Sequence, residues 1–599
     1  MKEYLLGNVA IARGLFEAGA GVITGYPGTP ASEIVETAAQ FAKRYNVHVE
    51  WSVNEKVAVE VASGAAWTGT RAAAVMKHVG LNVAADPFMT LAYTGVKAGL
   101  VLIVADDPYC HSSQNEQDTR RYAQFAGVPC LDPADPQEAK DMCQAAFELS
   151  EALELPVIVR PTTRVSHARA DVSLGSIEER AEKLEFEKNP EQWVMLPVHA
   201  RPRHTELLKK QAAMADALYD TPWNQLTLHQ SELGIIASGI SGLYAEEALR
   251  QLDTELSLLR VGSFPPPVAL IAAMLKTVKT VLVLEELEPV LEEYVERVAL
   301  TSNPSVKILG KTSGQLPREG EFDLLLVHNA IAGVLNRPSR YVHPLNVATE
   351  ILPPRPPVLC PGCSHRATYY AMRRAFGKDA IFPSDIGCYT LAVGMGTVDT
   401  CLCMGASITQ ATGIRFGGEQ RPICCSIGDS TFLHAGLPGL LNAAYNKARI
   451  TVAILDNATT AMTGHQPHPG TGALATGEET KAVSLEAIAK ALGADLVETV
   501  NPLELDGTIE TFSRARDFQG LAVIIAKQAC VTDTRRAGMR RKPFRVNAEL
   551  CTGCKKCVEF GCPAIEFDGE HARTNALCSG CGVCAQICPS AAIEEVTTT

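Results

Sequence analysis

Short runs of β-branched and aliphatic residues alternate with small-residue amphipathic stretches over the first 165 positions. "AGVITGYPGTP" reads as a strand, Val22 to Gly25, entering a Gly/Pro turn. "RAAAVMKH", "AGLVLIVADD" and "LPVIVRPTTR" read as later strands of the same sheet. Apolar runs of this length separated by helical patterns predict a parallel, doubly wound sheet. The opening "MKEYLLGNVAIARGLFEAGAG" lacks a signal-peptide layout and reads as a helix that buries Leu5, Val9, Leu15 and Phe16. Residues 166–230 turn charged and irregular and predict a connecting segment containing a helix. A small α/β unit is expected over 231–350, with "LGIIASG", "LSLLRVG", "TVLVLEE" and "VKILG" as strands and "YAEEALRQL" as a helix. The Pro-rich "LPPRPPVLCPGC" at 352–363 marks a boundary, and a third α/β unit is expected over 351–540. The basic linker "RRAGMRRKPFRV" then leads into a cysteine-rich segment, 541–599.

A chain of 599 residues is too long for one hydrophobic core, in agreement with several domains. The net charge of −13 argues against nucleic acid or an anionic membrane as partner, since either calls for a basic face. No apolar run reaches the length of a bilayer span, and a cytoplasmic location is expected. Nineteen cysteines in that compartment point to metal rather than to disulfides, and eight of them fall in the last 49 residues.

Those eight read Cys551-x2-Cys554-x2-Cys557-x4-Cys562-Pro563 and Cys578-x2-Cys581-x2-Cys584-x3-Cys588-Pro589. Three thiolates two residues apart wrap one corner of an iron–sulfur cube, and the fourth ligand comes from elsewhere. A pair of structural zinc sites is the competing reading, but zinc favours four ligands within one local unit and has no use for the trailing Cys-Pro. The tail resembles two-cluster ferredoxins. The resemblance assigns Cys551, Cys554, Cys557 and Cys588 to one [4Fe-4S] cluster and Cys578, Cys581, Cys584 and Cys562 to the other. The x4 spacing before Cys562 departs from the usual x3.

Upstream, "PICCSIGD" reads as a strand ending at Gly428-Asp429, "LHAGLPGLLNAAYNKA" as a helix, and "ITVAILDN" as a second strand ending at Asp456-Asn457. A right-handed crossover places both strand ends on the ligand-binding edge of a parallel sheet. Two oxygen ligands there suit Mg²⁺; the competing reading makes both residues helix or turn caps. The arrangement resembles the thiamine diphosphate (ThDP) motif. Carried over, Gly428, Asp429 and Ser430 lie at the diphosphate, and Asp429, the Asn457 side chain and the Thr459 carbonyl bind Mg²⁺. Ser430 stands where the motif usually has Gly. His465, on a Gly/Pro-rich loop, borders the diphosphate as a polar contact or as a catalytic group. Cys424 and Cys425 read as core, as do Cys401 and Cys403.

"TGYPGTPASE" and "SVNEKVAVEVASGAAWTG" are similar to stretches of the 2-oxoacid:ferredoxin oxidoreductases. That likeness makes Glu55 the acid–base partner of the aminopyrimidine and Thr29 a substrate contact; a solvated helix-end charge is the plain alternative for Glu55. The stretch "HSSQNEQDTRRYAQF" offers Arg120 or Arg121 to the substrate carboxylate, with a surface ion pair as the alternative for either. "CPGCSH" opens the third α/β unit, and the family likeness makes Cys360, Cys363, Cys388 and Cys530 a third [4Fe-4S] site. With "CPGCSHRATYY", "DIGCYTL", "DTCLCMGASI" and "LDNATTAMTGHQP", nearly the whole chain resembles the α subunits of the indolepyruvate-oxidising members. The resemblance implies an α/β fold in five parts: a pyrimidine-side ThDP domain (1–165), a connecting segment (166–230), a transketolase C-terminal-like domain (231–350), a diphosphate-side ThDP domain (351–540) and a 2[4Fe-4S] ferredoxin domain of α+β type (541–599). It implies aryl-2-oxoacid and coenzyme A (CoA) as substrates, aryl-acyl-CoA and CO₂ as products, ferredoxin as acceptor, and a β subunit in an α2β2 complex. Whether ThDP lies within one protomer or between two is left open. The competing classes are an oxidoreductase for pyruvate or branched 2-oxoacids, a non-oxidative ThDP decarboxylase, and an electron-transfer scaffold.

Overall fold

The computed structural model describes residues 1–177, 186–219, 221–338 and 356–596. The expected boundary at 350/351, the start of the Pro-rich stretch and the middle of the connecting segment lie outside the described residues. The chain forms two compact units, Met1–Thr349 and Glu350–Thr599.

The first unit holds β1 (Lys2–Leu6), β2 (Val22–Gly25), β3 (His48–Trp51), β4 (Ala72–Lys77), β5 (Leu100–Ala105), β6 (Cys130–Leu131), β7 (Val157–Val159), β8 (Arg169–Ser173), β9 (Gln225–Thr227), β10 (Leu233–Ser238), β11 (Ser257–Val261), β12 (Ser263–Phe264), β13 (Thr280–Leu284) and β14 (Lys307–Leu309). Among the described residues they build a seven-stranded sheet in the order β12-β6-β7-β5-β4-β2-β3 and a five-stranded sheet in the order β14-β13-β10-β11-β9. Every residue of β5 is buried, as its unbroken run "LVLIVA" requires of a central strand covered by helices on both faces. The opening residues depart from the expected helix. Lys2–Leu6 pair antiparallel with Arg169–Ser173, and the helix begins at Gly7. A partner 167 positions away overrides the local helical pattern, so Leu15 and Phe16 are core whereas Leu5 and Val9 are only half-buried.

Two buried guanidinium groups hold this unit together. Arg120 donates to the Asp118 carboxylate at 2.6 Å, to Glu285 at 2.8 Å and to the Glu286 and Glu288 carbonyls at 2.8 and 3.0 Å. Arg160 bonds Asp106 at 2.6 Å and Asp132 at 2.9 Å. The edge strand β12, supplied by the second α/β segment, pairs antiparallel with β6 of the larger sheet. The expectation that Arg120 reaches a substrate carboxylate is therefore corrected. The Arg120 side chain is sealed in and committed to two carboxylates, and Arg121 makes a surface pair with Glu293.

The second unit holds β15 (Pro383–Ser384), β16 (Thr400–Cys401), β17 (Cys424–Gly428), β18 (Thr451–Asp456), β19 (Leu496–Val500), β20 (Ala522–Lys527), β21 (Phe544–Val546), β22 (Ile565–Phe567), β23 (Ala572–Thr574) and β24 (Ile593–Glu595). Its parallel sheet runs β17-β18-β20-β19. The tail is α+β: antiparallel pairs β21–β24 and β22–β23 with short helices Lys556–Glu559 and Val583–Ile587. It shares one hydrophobic core with the sheet domain, where Val583 and Ile587 pack among Leu503, Leu505 and Phe512. The Gln586 side chain accepts from the Leu505 N–H at 2.9 Å and donates to the Leu503 carbonyl at 2.8 Å. Cys424 and Cys425 are core, as expected, but Cys401 and Cys403 are exposed, because β16 is a two-residue strand paired only with the short β15. Among the described residues no helix is long and apolar enough to cross a membrane.

The buried pairs set a stability test. Replacing Arg120 by Met strands Asp118 and Glu285 without their counter-ion, and a loss of about 3–5 kcal/mol is expected. Arg121→Met breaks only an exposed pair and should cost under about 1 kcal/mol. Denaturant unfolding of the purified chain separates the two; equal midpoints would contradict the structural role given to Arg120.

Candidate functional site

Gly428 closes β17 and Asp429 follows it, in register with the end of β18. The glycine is required there: a Cβ on Gly428 would lie 2.7 Å from the Tyr389 ring. Asp429 is buried. Its carboxylate accepts the backbone N–H groups of Ser430 at 2.8 Å, Asn457 at 3.2 Å and Ala458 at 2.8 Å, and lies 3.2 Å from His468 Nε2. Asp456 stands beside it, its pKa raised by burial and by the neighbouring Asp429 charge. Two carboxylates forced together in a buried pocket match the demand of a hard divalent cation for oxygen donors. Asn457 is set for the same task. Its Nδ2 donates to His365 Nε2 at 3.3 Å, and burial pushes His365 down to about 4, so the ring is neutral and free to accept. That leaves Oδ1 as the acceptor end of the amide, facing the Thr459 N–H at 3.3 Å. Ser430 accepts a hydrogen bond from Thr460 at 2.9 Å. His468, rather than His465, stands beside Asp429; burial, with Arg536 nearby, lowers the pKa of His465.

Twelve of the nineteen cysteines gather into three groups. Cys388 senses Cys530 and Cys360, and Cys363 senses Cys360 and Cys388; burial is the larger cause in both, pushing their thiols up to about 11 and about 12. This group adjoins the Asp429 site, since the Cys530 N–H donates to the Asn457 carbonyl at 3.0 Å. Cys562, Cys578, Cys581 and Cys584 line a second hollow, and burial with the three other thiols pushes Cys584 up to about 12. Cys551, Cys554, Cys557 and Cys588 line a third. The crossed grouping, with Cys562 among the later cysteines and Cys588 among the earlier ones, is the one the spacing resemblance gave. Among the described residues no three His, Cys, Asp or Glu side chains close to single-ion spacing. The "CPGC" turn packs tightly on the second group: Gly362 has φ +73, and a Cβ there would come within 1.7 Å of Ser579 Oγ.

In the first unit, the carboxyl ends of β2, β4 and β5 collect a separate set. Glu55 opens the helix Glu55–Trp67, whose N-cap Asn54 accepts from the Val57 N–H at 2.9 Å. Glu55 is buried and lies against Gly80, where any Cβ would meet its Oε1 at 2.6 Å. Thr29, in the turn after β2, accepts from the Ser112 hydroxyl at 3.1 Å. Lys77, at the end of β4, donates to the Ser112 carbonyl at 2.9 Å. Burial pulls the Lys77 ammonium down to about 8, against the opposing charges of Asp107 and Glu55. Sequence reasoning missed Lys77, Asp456 and His468. A signal existed for two of them: Lys77 is the first polar residue after the apolar run of β4, and Asp456 directly precedes Asn457.

A lysine with a pKa near 8 is about half neutral at pH 8, while an ordinary lysine near 10.4 is neutral to well under about 1%. Limiting acetic anhydride at pH 8 should label Lys77 ahead of surface lysines such as Lys307, with the lead shrinking as the pH rises past about 10 and both amines become neutral. Peptide mass spectrometry reads this, and simultaneous labelling would contradict it.

Two family models match. Residues 13–220 match "Pyruvate flavodoxin/ferredoxin oxidoreductase, thiamine diP-bdg", and residues 385–526 match "Thiamine pyrophosphate enzyme, C-terminal TPP binding domain". The chain is 45% identical to the indolepyruvate oxidoreductase subunit IorA of Pyrococcus abyssi, a match covering 99% of this chain and 96% of that one. It is also 45% identical to the subunit of that name from Methanothermobacter marburgensis, over 99% of this chain and 97% of the relative. A solved 2-oxoglutarate:ferredoxin oxidoreductase from Magnetococcus marinus aligns at 15% identity and TM-score 0.44, over 52% of this chain and 61% of that one. With near-complete coverage at 45% identity and the ThDP-binding models on both units, the chain belongs to the indolepyruvate oxidoreductase IorA subunits, within the ThDP-dependent 2-oxoacid:ferredoxin oxidoreductases.

Proposed function

We propose that the chain oxidises aryl-2-oxoacids such as indolepyruvate and phenylpyruvate to aryl-acyl-CoA, sending electrons through [4Fe-4S] clusters to ferredoxin. In balance, one 2-oxoacid, one CoA thiol and two oxidised ferredoxins give one acyl-CoA, one CO₂, one proton and two reduced ferredoxins. The observation that carries the reading is the Cys530 N–H bonded to the Asn457 carbonyl at 3.0 Å, which joins a cysteine group to the ThDP-side loop.

In this reading Asp429, the Asn457 amide oxygen and the Thr459 carbonyl hold Mg²⁺, Asp456 adds negative charge beside it, and Gly428 and Ser430 flank the diphosphate. ThDP, when bound, supplies the electron sink that lets CO₂ leave. Glu55 holds or releases a proton at its carboxylate, and its buried, packed position fixes where that proton is exchanged. Lys77, charged below about pH 8, keeps a cation beside Glu55 and Thr29, suited to an anionic substrate. Cys360, Cys363, Cys388 and Cys530 hold the cluster nearest the Mg²⁺ site. Cys562, Cys578, Cys581 and Cys584 hold the next, and Cys551, Cys554, Cys557 and Cys588 the last. The five-part domain division, a β subunit in an α2β2 complex and a cytoplasmic setting complete the reading.

The test is anaerobic co-production with the partner subunit, followed by metal and thiamine analysis and viologen reduction with indolepyruvate, phenylpyruvate and pyruvate, with and without CoA. About twelve iron atoms per chain are expected, with retained thiamine and fastest reduction on the aryl substrates. Asp429→Ala should lose both thiamine and turnover. Zinc in the cysteine groups, or turnover that survives iron removal, would overturn the reading.

A further inference from the structure

Arg366 lies in the first turn of the helix Ser364–Phe376 and is 3% exposed. A buried guanidinium calls for negative charge, and the other buried arginines have it: Arg120 has Asp118 and Glu285, and Arg160 has Asp106 and Asp132. Arg366 has none from a carboxylate among the described residues. Its Nη1 donates to the Gly561 carbonyl at 2.6 Å and its Nη2 to the Leu359 carbonyl. Its guanidinium carbon lies 6.0 Å from the centre of the Phe560 ring, and its Nε has no hydrogen-bond partner among the described residues. Burial pulls its pKa down, and the groups that oppose burial are the thiols of Cys562, Cys363, Cys360 and Cys581.

Those four cysteines belong to two different groups. Leu359 directly precedes Cys360, and Gly561 directly precedes Cys562, so the two carbonyls that grip the guanidinium come from the two cysteine loops themselves. The loops also meet without Arg366: a Cβ on Gly362 would lie 3.6 Å from Cys581 Cβ. The cation therefore occupies the seam between the Cys360/Cys363/Cys388/Cys530 group and the Cys562/Cys578/Cys581/Cys584 group. The thiols that act on it most strongly all belong to these two groups.

We infer that Arg366 is the shared counter-charge of two iron–sulfur clusters, set between them to raise the reduction potential of both and to favour single-electron transfer from one to the other across the seam. This rests on the cluster reading proposed above. In the step it serves, one cluster is oxidised by one electron and its neighbour is reduced by the same electron. No proton moves, and Arg366 stays charged throughout. A fixed positive charge in a poorly screened interior favours the more negative, reduced state of whichever cluster holds the electron. Because it faces both, the electron stays near the same cation as it crosses.

The test is an anaerobic redox titration of the holoenzyme, followed by electron paramagnetic resonance, on the wild type and on Arg366→Met, Arg366→Gln and Arg366→Lys, with iron counted in each. In the two neutral variants, two of the three reduction waves should move to lower potential by about tenfold in their equilibrium, about 59 mV for one electron. The third wave should stay, and Arg366→Lys should keep most of the wild-type potentials. If the neutral variants fail to load iron while Arg366→Lys loads fully, the requirement for positive charge is shown by that contrast. Superimposable titrations of wild type and fully loaded neutral variants overturn the inference. So does an Arg366→Lys protein that shifts, or fails to load, as far as Arg366→Met, since shape and not charge would then be what matters. An iron count in the wild type too low for a cluster at Cys360, Cys363, Cys388 and Cys530 is a failure of the underlying reading, separable from any result on the variants.

Discussion

The Asp429 carboxylate ties together the ends of adjacent parallel strands. It accepts backbone N–H groups from the loop after β18, and that loop in turn receives the chain after β20 through Gln528 N–H to Asp456 at 2.9 Å and Cys530 N–H to Asn457 at 3.0 Å. Strand ends in an open parallel sheet have no intrinsic reason to meet in one polar knot, because each must satisfy its own backbone. Here a single buried side chain supplies the acceptors, and the price is a concentration of negative charge on Asp429 and Asp456. A divalent cation is the natural complement, and neutral His365 already turns the Asn457 amide so that an oxygen remains available. The neighbouring cysteine group inherits its position from the same knot through Cys530.

What was legible in the sequence was whatever depends on local pattern. β2 lies where the run Val22 to Gly25 placed it, and β10, β13, β17 and β18 fall within their apolar runs, because buried parallel strands carry their burial in unbroken hydrophobic stretches. The crossed grouping of the tail cysteines was readable for the same reason: two-residue spacings bring the thiols of each motif together, and the motif likeness supplied the crossing. Features set by distant partners were not legible. β1 is a strand because of β8, far along the chain, and Arg120 is sealed because Glu285 reaches it across 165 positions. His468 and His465 sit on one loop with similar neighbours, and only the turn of that loop, with His465 at φ +74, decides which faces Asp429.

The two units handle buried charge in different ways, and the difference separates structural from functional burial. In the first unit each deeply buried guanidinium is closed off by carboxylates of the same unit. Such networks are internally compensated, and their worth lies in holding parts of the unit in register. In the second unit compensation within the protein is left incomplete. Asp456 is crowded by Asp429 with only the exposed Lys527, at 3.6 Å, to offset it, Arg366 is gripped by carbonyls, and thiols are gathered where burial, and then their neighbours, push them up.

Incomplete compensation carries a cost that folding alone does not explain, since an unpaired polar group in the interior opposes stability. A sequence that keeps such groups at adjacent places, negative at the strand ends and positive between cysteine loops, gains only when bound groups of opposite sign complete them. The signs agree with what each place would take: a cation at the carboxylates, and anionic cysteine-held clusters on either side of Arg366. The same reasoning accounts for the tail sharing a core with the sheet domain through Leu503, Leu505, Val583 and Ile587. Burial of those side chains, with Gln586 bonded to the Leu505 amide and the Leu503 carbonyl, makes the cysteine-rich tail a fixed continuation of the sheet domain rather than an appended segment.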